Sequence, residues 1–312
     1  MNLDEFVNAL IECISEKLGE GFCVMHKTVL KNNSVEYNGI VINDDKEKVA
    51  PVFYVEFFYR EWKNGRPLED IVEEIITMFG CYRKEGEISL ETVMDFKNIE
   101  QNVTVRLVSY DKNERLLENA LYDRVGEDLA LTYHYVKFCG DEMFSVRLNE
   151  SICEMLKVTP ETIKEKALEN TMRIFPPDFR KFNSFLTEMM HKYGYNMDKV
   201  FPENSDFYDN MEKFPMYVLT NQRNINGATS IIYKDILNRI AKVIGESYYI
   251  LPSSINEVII VPDNDIFERD ELVDMVRSVN RECVPKNEIL SDIVYHYPEN
   301  RFEITAPMQE KA

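Results

Sequence analysis

Side chains able to do chemistry gather most densely in Pro252-Ser253-Ser254-Ile255-Asn256-Glu257, which sets two hydroxyls, an amide and a carboxylate between two apolar segments. Groups of these types at a junction of strands can converge on a ligand. The same residues also serve turn backbone: Ser and Asn bond nearby main-chain groups, and Glu257 opens a strand. That ordinary use outweighs the other, so Ser253, Ser254, Asn256 and Glu257 are binding candidates and no residue is assigned a catalytic role. A second candidate surface is aromatic. Phe53, Tyr54, Phe57, Phe58, Tyr59 and Trp62 crowd a strand-to-helix junction, and one helix face cannot hide all of them, so Tyr59 or Trp62 borders a groove suited to a partner.

Other chemistries have weaker signals. The six cysteines, Cys13, Cys23, Cys81, Cys139, Cys153 and Cys283, include no CxxC pair, which excludes a compact zinc knuckle or dithiol motif and leaves reduced thiols as the expectation. A Cys153, His296, Asp292 arrangement can be drawn, but no small-residue elbow surrounds Cys153, and a buried structural thiol is the simpler reading. His26 and His134 lie in strand-like segments without a second histidine at ligand spacing, and Asp263-Asn264-Asp265 lacks the glycine and distant Glu of a calcium loop. With 11 glycines and neither GxGxxG nor GxxxxGK[ST], no nucleotide cofactor is expected, nor any metal.

The elements that must position these groups follow from periodicity. Phe6, Val7, Leu10, Ile11, Ile14 and Leu18 mark a first helix. Two strands over 24–30 and 35–42 turn at Asn32-Asn33-Ser34, which makes Asn38-Gly39 a bulge or bend. A short strand over 51–55 leads into a helix stopped by Asn64-Gly65, and Pro67 opens another whose apolar stripe is Leu68, Ile71, Val72, Ile75, Ile76 and Phe79. Strands over 103–108, 129–138 and 143–148 extend the same sheet as the strands before them, and Thr159-Pro160 caps a helix that Pro176-Pro177 ends. After a helix from Phe182, the last third reads as strands over 216–220 and 228–233, a helix to Gly245, strands over 248–251 and 257–261, and a final helix.

The chain of 312 residues, 45% hydrophobic with a net charge of -19, has ample core-forming residues and weak attraction for nucleic-acid phosphates or anionic lipid. No apolar run approaches the ~18–20 residues that span a bilayer, and the acidic start is unlike a secretory signal. The expectation is a cytoplasmic α+β protein of two domains, each a mainly antiparallel sheet with helices packed on it. Their limits are 1–193 and 216–312, joined by an irregular acidic linker over 194–215.

Several ordered segments carry a resemblance: Lys31-Asn32-Asn33-Ser34-Val35 with Gly39-Ile40-Val41-Ile42; Pro51-Val52-Phe53-Tyr54-Val55-Glu56; Glu169-Asn170-Thr171 with Phe175-Pro176-Pro177; Met216 to Asn221 with Gly227-Ala228; and Ile250 to Ile259. Together they are similar to an uncharacterised clostridial family, domain of unknown function number 5688, in which a His often stands where this chain has Asn256. The middle portion also resembles a YtpQ-like uncharacterised family. Neither resemblance implies an activity. The leading expectation is a binding or protein-interaction module without catalytic activity, acting on an unknown protein or small-molecule partner. The alternatives are a hydrolase or transferase using the Pro252–Glu257 turn or Cys153, and an acidic nucleic-acid mimic; the last is weakened because acids such as Glu69, Asp70, Glu73 and Glu74 fall on outer helix faces.

Overall fold

The structure, a computed structural model, describes residues 1–44, 50–84, 96–139, 142–192, 216–299 and 302–305. The acidic stretch 194–215 lies outside them. Helix α1 (Leu3–Leu18) starts in a capping box, Asn2 accepting from the Glu5 amide while Glu5 accepts from that of Asn2. It packs on a hairpin of β1 (Phe22–Leu30) and β2 (Glu36–Asp44) that turns at Asn32–Ser34, and β3 (Val52–Tyr54) completes the first sheet. The ladder runs unbroken through Thr28↔Asn38 and Lys27↔Gly39, so the bulge expected at Asn38-Gly39 is not there. Close packing is what the glycine answers: a Cβ at Gly39 would sit 2.4 Å from Val52 Cγ1.

Helices α2 (Val55–Lys63), α3 (Leu68–Lys84) and α4 (Phe96–Asn102) lead to the central sheet. Strand β4 (Val103–Ser109) is followed by α5 (Glu114–Leu117), β5 (Tyr122–Val125), β6 (Leu129–Cys139) and β7 (Glu142–Arg147). β6 is the axis, with β4 on one edge and both β5 and β7 on the other. The far edge of β4 is closed by side chains. α6 (Glu150–Leu156) is followed by α7 (Pro160–Ile174), whose Thr171 hydroxyl takes the Val105 amide at 2.8 Å, and Thr229 takes that of Leu107 at 3.0 Å.

A third antiparallel sheet has the order β12-β10-β11-β9-β8, where β8 (Pro177–Lys181) and α8 (Phe182–Lys192) precede β9 (Tyr217–Asn221). Next come α9 (Lys234–Ile244), β10 (Tyr248–Leu251), β11 (Val258–Pro262), α10 (Arg269–Glu282), β12 (Tyr295–Tyr297) and β13 (Ile304–Thr305), the last pairing with β5. The strand expected over 228–233 is instead a 3-10 helix, Gly227–Ile232. Its entry presses on β9 and the 256 carbonyl: a Cβ at Gly227 would lie 2.3 Å from Thr220 Oγ1 and 2.5 Å from Asn256 O, leaving no room for a ladder partner. One core runs through all three sheets, including Phe6, Ile40, Ile71, Leu131, Ile231 and Ile260. The fold is α+β, its sheets antiparallel.

Candidate functional site

The Pro252–Glu257 turn is drawn together, and its polar groups face inward on the chain. Ser254 Oγ accepts from the Asn256 amide at 3.0 Å, Asn256 Oδ1 accepts from the Asn226 amide at 3.0 Å, and Asn256 Nδ2 donates to Glu288 at 3.2 Å. Burial raises the Glu257 carboxyl above its ordinary range, a Ser254 hydrogen bond opposes this, and the Glu288 charge adds to it. Glu288 is raised by its own burial, against the Asn256 bond. The turn backbone pairs with the segment after α10: the Leu290 and Ser291 amides donate to Ser253 O and Pro252 O, and the Ile255 amide donates to Glu288 O. Ser253, Ser254, Asn256 and Glu257 thus form one scaffold that shapes residues 286–291.

Tyr59 and Trp62 belong to a different packing unit. Their rings stack 5.8 Å apart and both lie against Phe6 of α1, at 5.3 and 5.5 Å, with the Tyr59 hydroxyl donating to Met1 O. Tyr59 and Trp62 are half-buried, and Phe57 of the same helix is exposed. The drawn Cys153, His296, Asp292 grouping is dispersed. His296 pairs with Asp263 at 2.9 Å, Asp292 takes Asn280 and Lys112, and burial next to Glu150 pushes the Cys153 thiol up, away from the thiolate.

The 286–291 segment grips the hairpin turn on which the sequence placed only a turn. Asn33 Nδ2 donates to Lys286 O at 2.8 Å and Ile289 O at 2.6 Å, and Asn32 Nδ2 donates to Asn287 O at 2.8 Å. From the central sheet, Asn113 Oδ1 accepts the Asn33 amide at 2.7 Å, and Lys112 O accepts the Ser34 hydroxyl at 3.0 Å. Asn33 and Ser34 hold φ of 58° and 56°, a strained region that these five bonds overdetermine. The turn is thus tied to the segment after β4 and to the segment before β12, and Lys31 stands at its base with its ammonium 3.9 Å from the centre of the Tyr54 ring.

Lys31 looks onto the outer face of the central sheet, where the register gathers basic groups. Arg106 of β4 stands opposite Thr132 of β6, and Arg147 of β7 opposite His134. Side chains two apart on a strand share a face, so Thr132, His134, Arg106 and Arg147 all point to one side. Arg106 Nη2 and His134 Nδ1 are sealed from solvent without a hydrogen-bond partner. Arg147 donates to Leu116 O at 3.3 Å, and Thr132 Oγ lies 3.0 Å from His134 Nε2. No carboxylate among the described residues pairs with Lys31, Arg106 or Arg147.

The electrostatics follow. Burial, then the Arg106 and Arg147 charges, bring Lys31 down to about 8. Burial and Arg147 lower Arg106 to about 10. Burial, then Arg106, Arg147 and Lys31, hold His134 well below its ordinary value, so the imidazole is neutral. The inner face of the same sheet is different. There the buried Asp123 accepts from Lys164 at 2.6 Å and from the Tyr133 hydroxyl at 2.5 Å, a buried charge fully answered by the chain.

A cleft of about 210 Å³ lies elsewhere, walled by Ile231, Leu237, Tyr297 and Phe302 with Lys234 and Glu303 beside them; it is mainly apolar and remote from the basic recess in sequence and in its lining. Among the described residues no group of three or more His, Cys, Asp or Glu could hold a metal ion, and no helix is long and apolar enough to cross a membrane.

Architecture defines the class as an α+β protein with three antiparallel sheets among the described residues and a cluster of basic side chains on one face of the central sheet. The chain belongs to the family of unknown function DUF5688, whose model matches residues 3–299. No curated protein and no solved structure matches it.

Proposed function

We propose that the chain is a cytoplasmic binding module without catalytic activity of its own, and that its ligand is a small anion held in the recess of Lys31, Arg106, His134 and Arg147. The observation that carries this reading is Arg106 Nη2, a sealed guanidinium nitrogen with no partner. A buried donor left unpaired is costly, and native chains rarely keep one without a use. The chain has 55 acidic residues, and among the described residues none pairs with Arg106, while the buried Asp123 is answered by Lys164 and Tyr133. The overdetermined Asn32–Ser34 turn supports the reading further, because it holds Lys31 in place before any ligand arrives. The Pro252–Glu257 turn then acts as a support: it shapes the 286–291 segment that clamps Asn33.

The test is thermal unfolding of the whole chain in sodium chloride and in the sodium salts of phosphate, sulfate, succinate and acetate at equal ionic strength. A ligand for the folded state raises Tm as its concentration passes the Kd. The reading expects a saturable rise with at least one of these anions, abolished in Arg106→Met. Equal Tm in every salt removes the reading.

A further inference from the structure

We propose that the bound anion is a tetrahedral dianion of the phosphate type, a step that rests on the anion-binding reading above. Two features separate this class from a flat monoanion such as a carboxylate. The first is direction. Arg106 and Arg147 lie on the two strands flanking β6, so their backbones are about 12 Å apart, two strand spacings across and two residues along, and their side chains reach the space above Thr132 and His134 from opposite sides. Lys31 enters from the hairpin turn that covers this face. A planar carboxylate matches a single guanidinium fork, whereas tetrahedral oxygens present acceptors to donors arriving from several directions.

The second feature is valence. Two guanidiniums and an ammonium share the recess, and all three are protonated at neutral pH, Lys31 with a value of about 8 and Arg106 with one of about 10. A monoanion leaves two of these charges uncompensated in a partly dry space; a dianion leaves one. The net charge of -19 repels anions at long range, so affinity must come from these contacts. His134 contributes the remaining element: its Nδ1 is sealed and unpartnered, burial and then the neighbouring cations keep the imidazole neutral, and a dianion that offsets those cations lets it take up a proton.

Isothermal titration of the whole chain at pH 7.5 and fixed ionic strength tests this with inorganic phosphate, sulfate, succinate, acetate and nitrate as probes. Phosphate and sulfate are expected to bind with one site per chain and about tenfold or more tighter than acetate, nitrate or succinate, the factor that a single charge-assisted hydrogen bond supplies. Arg106→Met and Arg147→Met are each expected to weaken phosphate by about tenfold or more. A second arm with glycerol phosphate separates the sources: tighter binding than free phosphate assigns the phosphoryl group to an organic ester, and weaker binding assigns the free ion. Succinate or a monoanion binding as tightly as phosphate overturns the tetrahedral dianion and leaves the anion reading standing. Failure of every probe to bind overturns both.

Discussion

Arg106→Met separates a residue kept for a ligand from one kept for the fold. Methionine retains the length and the apolar stem, so contacts made by the aliphatic part of Arg106 persist. What disappears is a charge whose Nη2 is sealed and unpartnered and which faces Arg147. The fall of Arg106 from the ordinary guanidinium range to about 10 corresponds to roughly 3 kcal/mol against the charged form. Part of the side chain is half-buried and reaches solvent, so the recoverable part is about 1–3 kcal/mol. At about 2–4 °C per kcal/mol for large domains, the unliganded variant is expected to melt roughly 2–12 °C above the parent. Thermal unfolding in chloride, with circular dichroism as the probe, measures it. The same variant should lose the stabilisation that phosphate gives the parent. A variant that melts several degrees below the parent in chloride refutes the reasoning, because the guanidinium would then be holding the structure together.

Four further outcomes follow from the same geometry. Lys31 has a folded value of about 8 against 10.5, so the unfolded chain binds more protons between these limits and stability contributed by this group rises with pH; comparing the parent with Lys31→Met from pH 7.5 to 9.5 by urea unfolding should show the parent gaining ground, and a parallel pair of curves contradicts it. His134 is neutral when the recess is empty, so dianion binding should take up protons, read as a binding enthalpy at pH 6.5 that varies with the ionisation enthalpy of the buffer; identical enthalpies in phosphate-free buffers of different ionisation enthalpy count against it. Thr171→Val and Thr229→Val each strand a buried β4 amide and should lower stability by about 1–3 kcal/mol, with Ser at either position restoring most of it. Gly227→Ala forces a Cβ against Thr220 Oγ1 at 2.3 Å and should destabilise by about 1–3 kcal/mol in chemical unfolding, and an unchanged midpoint contradicts the close approach.

Much of the fold was legible because its signals are local. The stripe from Leu68 to Phe79 could only be a helix with one buried face, and Thr159-Pro160 marks a helix start by its capping chemistry. Tyr122–Val125 and Pro177–Lys181 were missed: both are short, and Pro176-Pro177 reads as a stop because only the later pairing with β9 makes Pro177 the start of a strand. Residues 228–233 read as a strand because Ala-Thr-Ser-Ile-Ile-Tyr suits one, and the close approach at Gly227 that prevents it is a tertiary fact.

The basic recess was hidden for a related reason. Thr104 and Arg106 alternate with Val103, Val105 and Leu107, and Thr132 and His134 alternate with Leu131, Tyr133 and Tyr135, the pattern of a strand with one wet face. Both faces are covered here, because the hairpin turn lies over the polar side; Thr104 and Thr132 are buried completely or nearly so. Lys31, Arg106, His134 and Arg147 come from four separate strands and turns, and no spacing in the chain links them. The signal available was compositional. Arg and His in the middle of the long β4 and β6 segments, far from any predicted turn, are where a solvated face is hardest to justify. The Asn32-Asn33-Ser34 segment was read correctly as the hairpin turn, yet its use as a clamp depends on 286–289 and Asn113, which lie far along the sequence.

The central claim is that an anion sits between Arg106, Arg147 and Lys31. Crystals of the whole chain grown in chloride and soaked with tungstate, a tetrahedral dianion whose tungsten scatters anomalously, locate it directly. One anomalous peak is expected above Thr132 and His134, with oxygens in hydrogen-bond reach of Arg106 Nη2 and of Arg147. An empty recess in soaked crystals, with Arg106 Nη2 bonded to a carbonyl or carboxylate of the chain itself, contradicts it.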